Sequence, residues 1–215
     1  MNNCVTRRMT LVFLLTASLA CRVDLAAQDA TSAVKKTVTL DAPDDVRDAS
    51  KIDLSGVPEA YRQDFAAMGE AVEASAKVFD KLSTAQMNFR PGDGSHTPRW
   101  NAEHLRAAQL RFFTAIYHAI DGDVEAVTEG PKQMPDQYKA AHADWTGSQE
   151  ADAMRAAHAK IVSHAGLLSD LQPDAKPPAT FWPSTKALLN VMVGHFAEHT
   201  GNVEKKFNDP NWPAE

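Results

Sequence analysis

The sequence predicts an all-α protein, a four-helix bundle preceded by a leader peptide and a flexible polar segment. Two observations carry this. Four stretches, each of about 20 residues, repeat apolar residues at three- and four-residue steps. Clusters of Pro and Gly separate them, and no run with strand character has a partner nearby. A chain of 215 residues fits one such domain with attached segments, and it can bury a core without disulfides.

The leader comes first. Arg7 and Arg8 supply a positive start, and Met9 to Ala20 follow as an apolar run. At about a dozen residues that run is too short to span a bilayer and suits a secretory signal peptide. The leader is expected over residues 1–27, with cleavage fitting after Ala20 or after Ala27. Lipidation of Cys21 is a third outcome, which would tether the product to a membrane. Export to the periplasm or the extracellular space is expected. Both cysteines, Cys4 and Cys21, lie in this leader. Cleavage near Ala27 leaves no thiol, which removes disulfides, thiolate ligands and cysteine nucleophiles together.

The formal charge is -6, and loss of the leader takes away three arginines against one aspartate. The acidic remainder repels phosphates, and no basic stripe with interleaved aromatics is present, so nucleic acid is not an expected partner.

Residues 28–54 are polar and aperiodic and read as a flexible linker. The run Thr37-Val38-Thr39-Leu40 suits a short strand but has no neighbour to pair with. The bundle is expected over residues 55–208. Helix 1 starts near Pro58, with Tyr61, Phe65, Met68, Val72, Phe79 and Leu82 along one face. Pro91, Gly92, Gly94 and Pro98 mark a loop. Helix 2 follows from about Trp100 to Ile120, with Leu105, Phe112, Ile116 and Ile120 as its buried face. A long connection comes next, with room for a short helix around Asp136 to His142. Helix 3 is expected from Ser148 to Leu171, with Met154, His158, Ile161, Ala165 and Leu168 inward. Pro173, Pro177 and Pro178 end it. Helix 4 runs from about Ser184 to Phe207, with Leu188, Val191, Met192, Phe196, Val203 and Phe207 inward. The tail, residues 209–215, contains Asp209-Pro210-Asn211-Trp212-Pro213 and cannot be helical.

The sharpest chemical feature is His195-Phe196-Ala197-Glu198-His199. Two histidines four apart project from one helix face, the spacing at which two imidazoles grip one cation. Such a pair also suits two packed core histidines, and a third ligand decides between them. His104 of helix 2 supplies that third nitrogen, giving an open three-histidine site. His158 lies on the apolar stripe of helix 3 and suits a fourth ligand, a supporting group or a buried imidazole bonded to a carbonyl. His96, His118, His142 and His164 fall in loops or off the stripes and read as surface residues. The same block spells H-x-x-E-H, an inverted zinc-peptidase signature. That signature needs an acidic ligand well downstream on a mixed α/β scaffold, and both are missing.

These pieces carry a resemblance. The Arg90-Pro91 loop, the Trp100-to-Leu105 opening of helix 2 and the His195-to-Asn202 block are similar to the DinB-like superfamily of four-helix bundles, also called YfiT-like metalloenzymes. The similarity spans about residues 55–208, and Thr200-Gly201-Asn202 keeps the glycine and an amide of the family's pattern. The resemblance implies a metal triad of His104, His195 and His199, holding a divalent ion, Zn²⁺ or Ni²⁺. In many members the helix 2 ligand stands two turns after the tryptophan, where this chain has Ala108. His104 is one turn earlier, a displacement of about 5 Å along the helix.

A metal-dependent hydrolase or transferase acting on a small molecule follows as the expected function. Glu103 and Glu198, each next to a ligand in sequence, are the candidate bases. Relatives include thiol S-transferases and a thiol-dependent isomerase, whose small cytosolic thiols an exported protein would not meet in quantity. A non-catalytic metal- or ligand-binding bundle is the alternative, and a bundle in which the histidines simply pack is a third. A homodimer formed through helix faces is compatible with either of the first two.

Overall fold

The computed structural model describes residues 46–128, 130–131 and 137–214, so the leader and the Thr37–Leu40 run lie outside it. Among the described residues every regular element is helical. In chain order the α-helices are α1 (Glu59–Phe79), α2 (Thr84–Met87), α3 (Pro98–Ile120), α4 (Gly147–Ser163) and α5 (Thr185–Glu204). Helices α1, α3, α4 and α5 correspond to the four expected.

Four of these five helices, α2 to α5, start at a side-chain cap, whereas α1 follows Pro58 without one. Ser83 with Gln86, and Thr146 with Gln149, form capping boxes on α2 and α4. Thr97 accepts from the Trp100 N–H, with Pro98 opening α3. Ser184 accepts from the Ala187 N–H on α5. Caps of this kind contribute about 1 kcal/mol each. They fix where a helix begins, and hence which residues share its face.

Helix α1 packs against α4 and α5, and α3 packs against the same two. The rings of Phe65 on α1 and Phe113 on α3 meet across the core at 5.8 Å. The whole expected stripe of α1 is buried, with Leu82 beyond its end. Before α1, a 3-10 turn at Ala49–Lys51 docks on it: Ala49 is buried and its N–H donates to Glu73 Oε2 at 3.0 Å.

Four local expectations are corrected. On α3, Phe112 is half-buried and Ile120 is 41 % exposed, whereas Phe113 and Tyr117 are fully enclosed beside Leu105 and Ile116. The inward face runs through Ala108 and Gln109; Gln109 Nε2 donates to the Met154 carbonyl at 3.3 Å, while its Oε1 is buried without a partner among the described residues. On α5, Val191 and Phe207 are 43 % and 41 % exposed, while Leu189 is buried. Helix α4 stops at Ser163, and the chain tightens into a 3-10 turn at Ala165–Asp170, where Gly166 weakens the α-helical option. Residues 138–142 are not helical, because the Glu103 carboxylate captures the Tyr138 hydroxyl and the Ala141 and His142 N–H groups.

Two arginines are buried in this frame. Arg155 of α4 forks onto Glu73 of α1 at 2.9 and 3.1 Å and onto Asp80 at 2.7 Å. Arg99 of α3 joins Glu150 of α4 at 3.1 Å.

His158 takes neither the ligand role nor a carbonyl bond at Nδ1, which is buried without a partner among the described residues. Burial pulls its imidazole down to about 4. It is therefore neutral in the folded protein, while the unfolded chain gains a proton below about 6.5. Stability is fully present above that pH and is lost as pH falls toward 4, by roughly 3 kcal/mol from this group. Denaturant midpoints measured from pH 7 to pH 4 should fall less steeply in His158→Met than in the parent. Parallel slopes would assign the acid lability elsewhere.

Gly147 carries a second expectation. A Cβ there would lie 1.9 Å from the Phe79 carbonyl oxygen and 2.9 Å from that of Leu82, to which the Gly147 N–H donates at 2.8 Å. Gly147→Ala must push α4 away from the end of α1. Urea unfolding should show a loss of about 2 kcal/mol or more, and an unchanged midpoint would disprove the close approach.

Candidate metal centre

Helices α3 and α5 run antiparallel past one another, bringing Asn101 and His104 opposite His199 and His195. The His104 and His195 Nε2 atoms are 3.1 Å apart. One ligand nitrogen from each of His104, His195 and His199 falls within 4.8 Å of the others. The three residues singled out in the sequence are thus brought together. His104 reaches His195 from its earlier position, and Ala108 packs in the core.

The donor set fits a divalent metal. Bonds of 2.0–2.1 Å place neighbouring nitrogens about 2.9–3.4 Å apart at octahedral to tetrahedral angles. The His104–His195 separation is in that range, and the third nitrogen lies within 4.8 Å of the other two. Burial, with the neighbouring histidines adding to it, pulls His104 down to about 3 and His199 down to about 4. Burial also lowers His195, against the opposing charge of Glu198. All three imidazoles are neutral near pH 7, the protonation state that ligation requires.

His199 is oriented from behind. Its Nδ1–H donates to Asn101 Oδ1 at 2.7 Å, which fixes the tautomer and leaves the Nε2 lone pair for a ligand. Asn101 is itself held by donation from its Nδ2 to the Thr97 carbonyl at 2.8 Å. Further along α5, the Ser75 and Thr200 hydroxyls meet at 2.6 Å, joining α1 to the turn that carries His199. His195 Nδ1 is buried and finds no acceptor among the described residues.

The two candidate bases stand differently. Glu103 is buried and committed to Tyr138, Ala141 and His142. Glu198 is exposed on α5 and acts on His195 through space.

The other histidines divide as well. His118 is exposed, its ring bonded to the Val124 carbonyl, and His164 is half-buried and bonded to that of Lys160. His142 stacks on Trp145 at 3.7 Å. His96 is the residue that loop placement missed: it stacks on Trp100 at 3.5 Å, and Trp100 stacks on His104 at 4.4 Å. Its signal was present, since His96, Trp100 and His104 recur at four-residue steps. Asn101 could have been found likewise, three residues before His104.

A cleft of about 590 Å³ opens beside the triad, with His96, Asn101, His199, Asn202 and Lys206 in its wall. It touches the centre at His199 and lies between the 91–96 loop and the end of α5. No described helix is long and apolar enough to cross a membrane.

No curated protein and no solved structure matches the chain. The sequence profile of the DinB superfamily matches residues 67–203, a span that contains all three clustered histidines, the whole of α3 and α4, all but the last residue of α5 and the second half of α1. On that match, over more than half its length, the chain belongs to the DinB superfamily.

Proposed function

We propose that the four long helices form the superfamily's four-helix bundle and that His104, His195 and His199 hold one divalent metal ion, Zn²⁺ or Ni²⁺, for a hydrolase or transferase reaction on a small molecule. The carrying observation is the convergence of three neutral imidazoles from two helices. A metal held this way supplies Lewis acidity and a more acidic bound water. The chain's own residues bind and orient: Asn101 aligns His199, and the flanking cleft receives the small molecule. That cleft favours the catalytic reading over a bare metal-storage bundle, because a ligand can approach the His199 side of the centre. Glu103 is an organiser of the 138–142 loop in this scheme, which leaves Glu198, exposed on α5, as the candidate base. We further propose export, resting on the Arg7-Arg8 start and the apolar run to Ala20.

Elemental analysis of the purified protein tests the centre. About one equivalent of a transition metal is expected after Zn²⁺ or Ni²⁺ is supplied, and it should be lost in His104→Ala and in His195→Ala. Retention in His104→Ala would remove that residue from the ligand set, and absence of metal in folded parent protein would end the proposal. Asn101→Ala should keep the fold but weaken metal affinity by about 10- to 100-fold, measured by competition with a chelator. An unchanged affinity would mean that the Asn101–His199 bond does not orient the ligand.

A further inference from the structure

We infer that the cleft beside the triad binds a small, elongated molecule carrying a carboxylate or phosphate, with the Lys206 ammonium as the anchor of that anionic group. The inference extends the metal-centre reading by naming the class of molecule the same site takes.

Lys206 is 7 % exposed, although lysines rarely lie so deep without a partner. Its Nζ donates to the Asn202 carbonyl at 2.9 Å. Among the described residues no carboxylate lies within ion-pair distance of it. An ammonium carries three donors, so two directions are left over in the cleft wall. A buried charge is normally compensated, and an incoming anion supplies the missing partner.

The acids of the cleft do not fill this role. Asp93 and Asp209 line it too, but neither carboxylate lies within ion-pair distance of Lys206; they accept the backbone N–H groups of Ser95 at 2.9 Å and Asn211 at 2.8 Å. Asp93 acts on Lys206 across space, without contact. Lys205 is exposed and reaches only Asn202 Oδ1, at 3.4 Å.

Spacing sets the length of the molecule. His199, Asn202 and Lys206 follow one another at i, i+3 and i+7, along one face of α5 and the 3-10 turn Lys205–Asn208 that continues it. From His199 to Lys206 the chain advances about 10 Å. A molecule anchored at Lys206 therefore presents its other end to His199 and the metal centre. The amides of Asn101 and Asn202 and the ring of His96 flank the path between.

Calorimetric titration of the full chain, metal-free and Zn²⁺-loaded, tests this with adipate, pentyl phosphate and neutral adipamide. At least one of the two anions should bind and adipamide should not; preference for adipate or for pentyl phosphate identifies the anionic group. Lys206→Met should weaken anion binding by about tenfold or more. Lys206→Arg should stay within about threefold of the parent, and Lys186→Met, at an exposed lysine outside the cleft, within about twofold. If Lys206→Met fails to fold, Lys206→Gln, which can still donate to the Asn202 carbonyl, gives the same comparison. Equal binding of adipamide, no binding of either anion, or a Lys206→Met effect no larger than that of Lys186→Met would overturn the inference. Zn²⁺ uptake in the same samples separates the two proposals. Metal uptake without anion binding removes only the cleft assignment, and anion binding without metal uptake removes only the metal centre.

Discussion

Arg99 is wholly enclosed, and its guanidinium ties together three segments of the chain. It donates to Asn88 Oδ1 at 2.7 Å, to Glu150 Oε1 of α4 at 3.1 Å and to the Trp145 carbonyl at 2.5 Å. Burial lifts the Glu150 carboxyl to about 7, against the pull of Arg106 and Arg99. Removing one partner from such a buried pair typically costs about 3–5 kcal/mol, because the other charge is left uncompensated. The position of Arg99 gives this bond its reach. It sits in the first turn of α3, immediately before Trp100 and Asn101 and little more than a turn before His104. Whatever holds Arg99 in register also holds the orienting amide and the first ligand in register.

Glu103 continues the same logic one turn later. A carboxylate beside a histidine ligand looks like a general base, but its oxygens gather the Tyr138 hydroxyl and two backbone N–H groups. Burial, with the charge of Glu103 adding to it, pushes the Tyr138 hydroxyl well above the usual tyrosine range, so it remains a donor at any physiological pH. The acidic residues flanking α3 and α4 therefore build walls, and the centre itself is made of neutral nitrogens and amides.

Much of this was legible in the sequence, for physical reasons that can be named. The four long helices were visible because large apolar residues recur at the helical period, and their starts to within about a turn because Pro and Gly punctuate the chain around them. The clustered histidines were visible because two of them share a helix face. The inward face of α3 was misplaced because its members include Ala108 and Gln109, which carry no hydrophobic signal, whereas Phe112 and Ile120 do. The ends of α4 and α5 were overrun because a 3-10 turn keeps nearly the same periodicity as the helix it extends. Arg99, Arg155 and Lys206 were illegible as buried residues, since a charge is hidden only through partners far away in the chain. The cleft shares that property: its wall joins residues 91–96 to residues 199–209.

Trp100 lies flat between two imidazoles, His96 on one face and His104 on the other. One of those rings belongs to the cleft wall and the other to the histidine triad. The indole is consequently a single chromophore in contact with both places. A molecule that displaces His96 changes the polarizable surroundings of the ring from one side, and a cation drawing electron density from His104 changes them from the other. The protein thus carries its own optical probe at the junction between the centre and its entrance, built from the stack that positions His104.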